Sequence, residues 1–227
     1  MTFFFFDIDG TLLLSGGAGR VAMQQVMSEM YQLTELHTIK VHGRTDRGII
    51  TDLFAAHEIP LDEDTRDKFT SRYHELLPKA MEQCDGRLMP SVVELLEELQ
   101  ATPQVCLGIL TGNSESAAIT KLKHLDLDQY FDFGGYGEKH SNRNDVAQAA
   151  LVACRNAYDD LEIAANQTWV VGDTVNDITC ARSIGSNVVA VGTGGAEIDE
   201  LRAHNPDLLL ADLSDIKGFI NATVRNP

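Results

Sequence analysis

The sequence predicts an α/β protein: a doubly wound parallel sheet with an all-helical unit inserted after its first strand. Three observations carry that prediction. Short continuous apolar runs recur along the chain, as strands covered on both faces require. Helix-period patterns separate the later runs, which makes βαβ units. Residues from about Ala18 to Cys84, by contrast, hold only amphipathic helix patterns and no convincing strand.

The first strand is Phe3–Phe6. Helix patterns follow at Arg20–Leu33, Thr45–His57 and Asp62–Met81, flanked by the glycine-bearing linkers Leu14–Gly19 and Asp85–Pro90. Helices in succession cannot extend a sheet, so residues 17–86 are expected to form a helical cap on a core made of 1–16 and 87–227. Ser91–Leu99 then aligns Val92, Leu95, Leu96 and Leu99 on one helical stripe. Val105–Leu110, Trp169–Val171, Val188–Val191 and Leu208–Leu210 supply the remaining strands. Helices over Ser114–Leu125, Asp145–Tyr158, Asn176–Ile184, Glu197–Ala203 and Ser214–Thr223 connect and close the fold, with Gly185 as a C-cap. The apolar stripe of Val21–Met30 reads as cap core rather than as a binding face.

Composition limits the function classes. A chain of 227 residues buries about 70% of its unfolded surface and needs no disulfide or metal staple. Its 34 Asp and Glu against 18 Lys and Arg give a net charge of −16. A general nucleic-acid or anionic-membrane binder needs the opposite sign. Any phosphate site in this acidic shell must be locally cationic or bridged by metal. Cys84, Cys106, Cys154 and Cys180 form no Cys-x-x-Cys pair, and three of them lie in apolar surroundings, as free thiols of a reducing compartment do. The apolar run at Phe3–Phe6 is too short for a signal peptide and lacks a basic n-region, so the expected compartment is the cytoplasm. Monomer and homodimer both remain open.

Three strand ends carry chemistry. Phe3–Phe6 runs into Asp7-Ile8-Asp9-Gly10-Thr11, Val105–Leu110 into Thr111-Gly112-Asn113, and Trp169–Val171 into Gly172-Asp173-Thr174-Val175-Asn176-Asp177. The C-terminal strand ends of an open parallel sheet share one crevice. Four carboxylates and a hydroxyl from distant segments are thus expected to converge. Crowded carboxylates need a counter-charge. A hard divalent cation such as Mg²⁺ supplies it through oxygen ligands and substrate phosphate. One carboxylate can act as a nucleophile, and a second, two residues on, can move the proton. Gly10 allows a sharp turn whose N–H groups are candidate phosphate donors.

These motifs, in this order and at strand ends, resemble those of the haloacid dehalogenase superfamily, closest to phosphoglycolate-phosphatase-like members with a helical cap. The resemblance covers the whole chain. It implies a Rossmann-like core and Mg²⁺-dependent hydrolysis of a small phosphorylated metabolite, phosphoglycolate-like or a sugar phosphate. It implies Asp7 as nucleophile, Asp9 as general acid/base and Thr111 as phosphoryl binder, with Gly112 and Asn113 beside it. Asp7, the Asp9 carbonyl and Asp173 are implied metal ligands, with Asp177 supporting them. The family's third motif, a lysine before the helix that precedes the fourth motif, is absent as such. In Gly137-Glu138-Lys139-His140-Ser141-Asn142-Arg143-Asn144-Asp145, Arg143 stands nearest the expected place and Lys139 is the alternative.

Other readings stand beside these. Asp7 and Asp9 fit a plain strand-to-turn exit, and Asp177 a helix first turn. Gly192-Thr193-Gly194-Gly195 lacks the pattern of a nucleotide loop and reads as a simple strand exit. Arg44 and Arg47, in a basic stretch of the cap, are either a solvated helix start capped by Thr45 or a contact for an anionic part of the substrate. The rival functions are a hexose-phosphate mutase of the same superfamily and a non-catalytic phosphometabolite-binding protein. Asp9 disfavours dehalogenation, which has no leaving alkoxide to protonate.

Overall fold

The computed structural model describes residues 1–158 and 163–225. Its main sheet has six parallel strands in the order β5-β4-β1-β6-β7-β8. In chain order these are β1 (Thr2–Phe6), β4 (Val105–Leu110), β5 (Phe133–Gly135), β6 (Thr168–Gly172), β7 (Asn187–Val191) and β8 (Leu208–Leu210). The helices α4 (Val92–Ala101), α5 (Glu115–His124), α6 (Arg143–Ala157), α7 (Val175–Ser183), α8 (Ile198–Ala203) and α9 (Ile216–Ile220) flank it.

β1 lies near the middle of the sheet because both its faces are apolar. Successive side chains of a strand point to opposite faces. Phe4 and Phe6 enter a core with Leu95, Leu99 and Ile109, whereas Phe3 and Phe5 enter another with Val146, Val170 and Ile178. Each fully buried phenylalanine contributes about 1.5–3 kcal/mol. The register places the site: Phe6 pairs with Ile109 on one side and Val171 on the other. The residues that follow on β1, β4 and β6 therefore leave the sheet side by side.

The helical insertion comprises α1 (Ala18–Tyr31), α2 (Asp46–Ala56) and α3 (Glu63–Gln83). It has its own core, in which Met27, Phe54, Phe69 and Leu77 are buried. The Val21–Met30 stripe is part of it through Met23, Val26 and Met27. Thr45 caps α2, accepting from the Gly48 N–H. The two linkers pair as a small antiparallel ribbon of β2 (Leu13–Leu14) and β3 (Arg87–Leu88), with Leu14 opposite Arg87. All four cysteines are free. No helix among the described residues is long and apolar enough to cross a membrane.

The structure departs from expectation at the smallest elements. β5 carries two glycines in three residues, so it has no apolar run to betray it. It fits because Gly108 of β4 leaves room for the Phe133 ring, which a Cβ there would strike. Helix α6 starts at Arg143 itself, with Asn142 as N-cap, two residues earlier than the periodicity predicts.

Candidate active site

The three strand ends form one acidic crevice. Asp7 follows β1, Asp173 follows β6, and Asp177 stands in the first turn of α7. All three are buried, and one oxygen from each lies within 4.8 Å of the others. Gly10, with φ +92°, brings the turn after β1 so close to Asp173 that a Cβ there would overlap its carboxylate. Its N–H donates to the Leu13 carbonyl at 2.8 Å, so what Gly10 supplies here is close approach rather than an unengaged N–H. Thr11 Oγ1 donates to Asp173 at 3.2 Å, and the Gly195 N–H at 2.5 Å. Thr193 Oγ1 donates to the Gly10 carbonyl at 2.6 Å. The Gly192–Gly195 stretch is therefore a wall of the site and more than a strand exit.

Charge in the crevice is unbalanced. Burial raises the Asp7 carboxyl to about 6, though Arg143 opposes the shift. Burial, with the charges of Asp177 and Asp7, raises Asp173 to about 8. Carboxylates forced together in this way call for a further positive charge. An all-oxygen donor set from aspartates suits a hard cation of the Mg²⁺ type. Asp177 is the least available of the three. Its Oδ2 accepts from the Thr174 N–H at 2.9 Å and hydroxyl at 2.6 Å, and its Oδ1 from Arg143 at 2.6 Å.

The two cations of the site divide the aspartates between them. Arg143 is buried; its Nη2 lies 2.8 Å from Asp7 Oδ1 and 2.6 Å from Asp177 Oδ1. Lys121, on α5, donates to Asp9 Oδ2 at 2.6 Å and to Asn113 Oδ1 at 2.7 Å. Asn113 Nδ2 donates to the same Asp9 oxygen and to Thr111 Oγ1, each at 2.8 Å. The enclosing cleft pushes the Asp9 carboxyl up, but the Lys121 ammonium and these hydrogen bonds outweigh it, so Asp9 sits below the usual carboxylate range. Among the described residues, the main-chain N–H of Gly112 donates to no protein acceptor. Thr111 and Gly112 both line the cavity.

Lys121 escapes the sequence reading. It belongs to the buried face of α5 with Ala117, Ala118 and Leu122. A lysine at i+4 from a buried alanine, in an otherwise apolar stripe, is the signal that points to it. Lys139 is exposed and makes no ion pair or hydrogen bond with a described residue.

The helical insertion closes over the crevice through the basic stretch. The Asp46 N–H donates to the Gly112 carbonyl at 2.7 Å, and the Ser114 N–H and hydroxyl donate back to Asp46. Asn176 Nδ2 donates to the Gly43 carbonyl at 2.7 Å. A cavity of about 520 Å³ remains beneath. Arg44 lines it and pairs with Asp52 at 2.7 Å; Arg47 does not line it and pairs with Glu63 at 2.7 Å.

A parallel sheet whose strand ends carry these aspartates, under a helical insertion, defines a hydrolase class. The chain belongs to the haloacid dehalogenase-like hydrolases, whose family model matches residues 4–191. It is an enzyme of the phosphoric monoester hydrolase type. It is 29% identical over 224 residues to a phosphoglycolate phosphatase of Chromobacterium violaceum, covering 93% of this chain and 94% of that one. A phosphoglycolate phosphatase of Agrobacterium fabrum is 26% identical over 220 residues, covering 92% and 88%. Among solved structures, CbbY from Rhodobacter sphaeroides in complex with phosphate superposes with a TM-score of 0.73 at 15% identity, covering 95% and 96% of the two chains.

Proposed function

We propose that the protein is a Mg²⁺-dependent phosphatase that hydrolyses a small phosphorylated metabolite through a phosphoryl group carried on Asp7. The observation that supports it most is the division of labour in the crevice: Asp7 is held by Arg143, and Asp9, two residues on, is held by Lys121 and Asn113. In the first step an Asp7 oxygen bonds to phosphorus, the ester oxygen departs, and Asp9 gives it a proton. In the second, Asp9 takes a proton from water, the water oxygen bonds to phosphorus, and Asp7 is released with inorganic phosphate. Lys121 favours the ionised Asp9 of the second step. The arriving phosphate dianion opposes it and favours the protonated Asp9 of the first.

Asp7, Asp173 and the Asp9 carbonyl would hold Mg²⁺, with Asp177 supporting the set through Thr174 and Arg143. When bound, the ion neutralises carboxylate and phosphate charge, which is most of what phosphoryl transfer needs. The Thr111 hydroxyl and the Gly112 N–H would hold phosphoryl oxygens, and Arg143 would bridge Asp7 and the phosphoryl group. Residues 17–86 act as the cap that excludes bulk water, on a core of 1–16 and 87–227.

Phosphate release from a panel of metabolite esters, with Mg²⁺ and with EDTA, tests the reading. Release should require Mg²⁺ and should vanish in Asp7→Asn, with circular dichroism reporting a folded variant. Turnover in EDTA, or an active Asp7→Asn, would overturn it. An isomeric sugar phosphate formed without net phosphate release would establish the mutase instead.

A further inference from the structure

The cavity is built for more than a two-carbon ester. At about 520 Å³ it lies in the range of pockets that enclose drug-sized ligands. Its floor is the polar crevice. Its cap wall is mostly apolar: Met23, Leu36, Ile39, Val41, Ile49 and Leu53 line it, with His37 and His42 among them. Val41, one of these lining residues, is 42% exposed. The mouth is different again. Arg20, in the first turn of α1, and Arg87, on the linker ribbon, line it and are exposed. Neither forms an ion pair with a described residue, although the chain carries a net charge of −16. Arg44, by contrast, is already paired with Asp52.

We propose that the substrate is a phosphomonoester whose leaving group carries a ring-sized apolar body and, at its far end, a second anionic group such as a carboxylate. The phosphate enters the crevice, the apolar body covers the cap wall, and the distal anion meets Arg20 and Arg87. A glycolate-sized leaving group would leave the wall wet and the two guanidiniums unused. This inference rests on the phosphatase reading and narrows its substrate class.

The test compares kcat/KM for ethyl phosphate, 2-phosphoglycolate, benzyl phosphate and 4-carboxybenzyl phosphate. All are esters of primary alcohols, so differences report binding under the cap more than leaving-group chemistry. Benzyl phosphate should exceed ethyl phosphate by about tenfold or more, the scale at which apolar pockets discriminate. The carboxylate should add about fivefold, as expected of exposed charge pairs. In the Arg20→Ala/Arg87→Ala double variant the ratio of carboxylated to plain benzyl ester should fall toward one. In Val41→Asn the benzyl-to-ethyl ratio should drop about threefold. Ethyl phosphate or 2-phosphoglycolate turned over as well as the benzyl esters, or ratios unmoved in the variants, would overturn the inference. Calorimetric binding of benzylphosphonate and methylphosphonate, neither of which can be hydrolysed, separates the two levels. If no ester turns over yet benzylphosphonate binds tenfold tighter, the phosphatase reading falls and the cavity assignment stands. Equal binding of the two overturns the assignment by itself.

Discussion

Lys121 and Arg143 hold separate aspartates, so they should fail differently. Arg143→Ala removes the only described cation beside Asp7 and Asp177, and should cost about 10²–10³-fold in kcat/KM, the loss expected of one preorganised stabiliser. Arg143→Lys should recover part of this, since it keeps the charge but not the fork. Lys121→Met should lower kcat about 10²-fold with a smaller change in KM, because Asp9 loses its partner while the phosphoryl-binding Thr111 remains. Lys139→Ala, on the exposed loop, should stay within about twofold. Steady-state kinetics of the four variants on one ester decides the ranking, and a crippled Lys139→Ala would exchange the roles of Arg143 and Lys139. Asp7, Asp9, Thr111 and Asp173 are legible in the sequence because a polar cluster ending an apolar run is a local pattern. Lys121 is not, because its partner is 112 positions away and only the packing of α5 against the sheet end joins them.

At the level of elements, two glycines set how tightly the cap loop and the strand-exit loop approach the crevice. A Cβ at Gly112 would overlap the Arg44 carbonyl, so Gly112→Ala should push the Gly43–Thr45 stretch off the site. We expect KM to rise about tenfold with a lesser effect on kcat, read from full saturation curves. A Cβ at Gly194 would overlap the Asp173 carboxylate and Gly10, so Gly194→Ala should raise the Mg²⁺ concentration needed for half-maximal activity several-fold. An unchanged Mg²⁺ titration would remove Gly192–Gly195 from the site. The main strands and the three cap helices are readable because each is long enough to show its period. β2 and β3 span two residues each, too short for any pattern, and β5 has glycine at two of its three positions where the equally short β8 has three leucines, so tertiary pairing alone reveals them.

For the whole molecule, the proposed Mg²⁺ site makes the stability of the folded state a readout of metal binding. An ion that binds only the native chain stabilises it by about 2.7 kcal/mol at a hundredfold excess over its Kd. In a chain of this size that is about 5–10 °C in Tm. Differential scanning calorimetry should therefore show a Mg²⁺-dependent rise in Tm that EDTA reverses and that Asp173→Ala abolishes. A Tm indifferent to Mg²⁺ would refute the metal assignment without reference to turnover. The cavity's apolar wall was not legible, because Met23, Ile39 and Leu53 come together only when the cap helices pack.

The central position of β1 has a consequence during synthesis. Its neighbours are β4 and β6, and Phe6 gains its second partner only when Val171 has been made. At ~5–20 residues per second, the run Phe3–Phe6 waits about ten to thirty seconds for that flank. Four successive phenylalanines, uncharged and strongly β-forming, have the makeup of an aggregation nucleus throughout that interval. The side-chain charges nearest to them in the chain are Asp7 and Asp9. A charge beside an unavoidable apolar strand is how natural sequences keep nascent chains apart. The two aspartates proposed for catalysis are therefore expected to act as gatekeepers before any site exists. Neutralising both, as Asp7→Asn/Asp9→Asn, should lower the soluble yield on dilution from denaturant more than Asp173→Asn does, although all three side chains end in the same crevice.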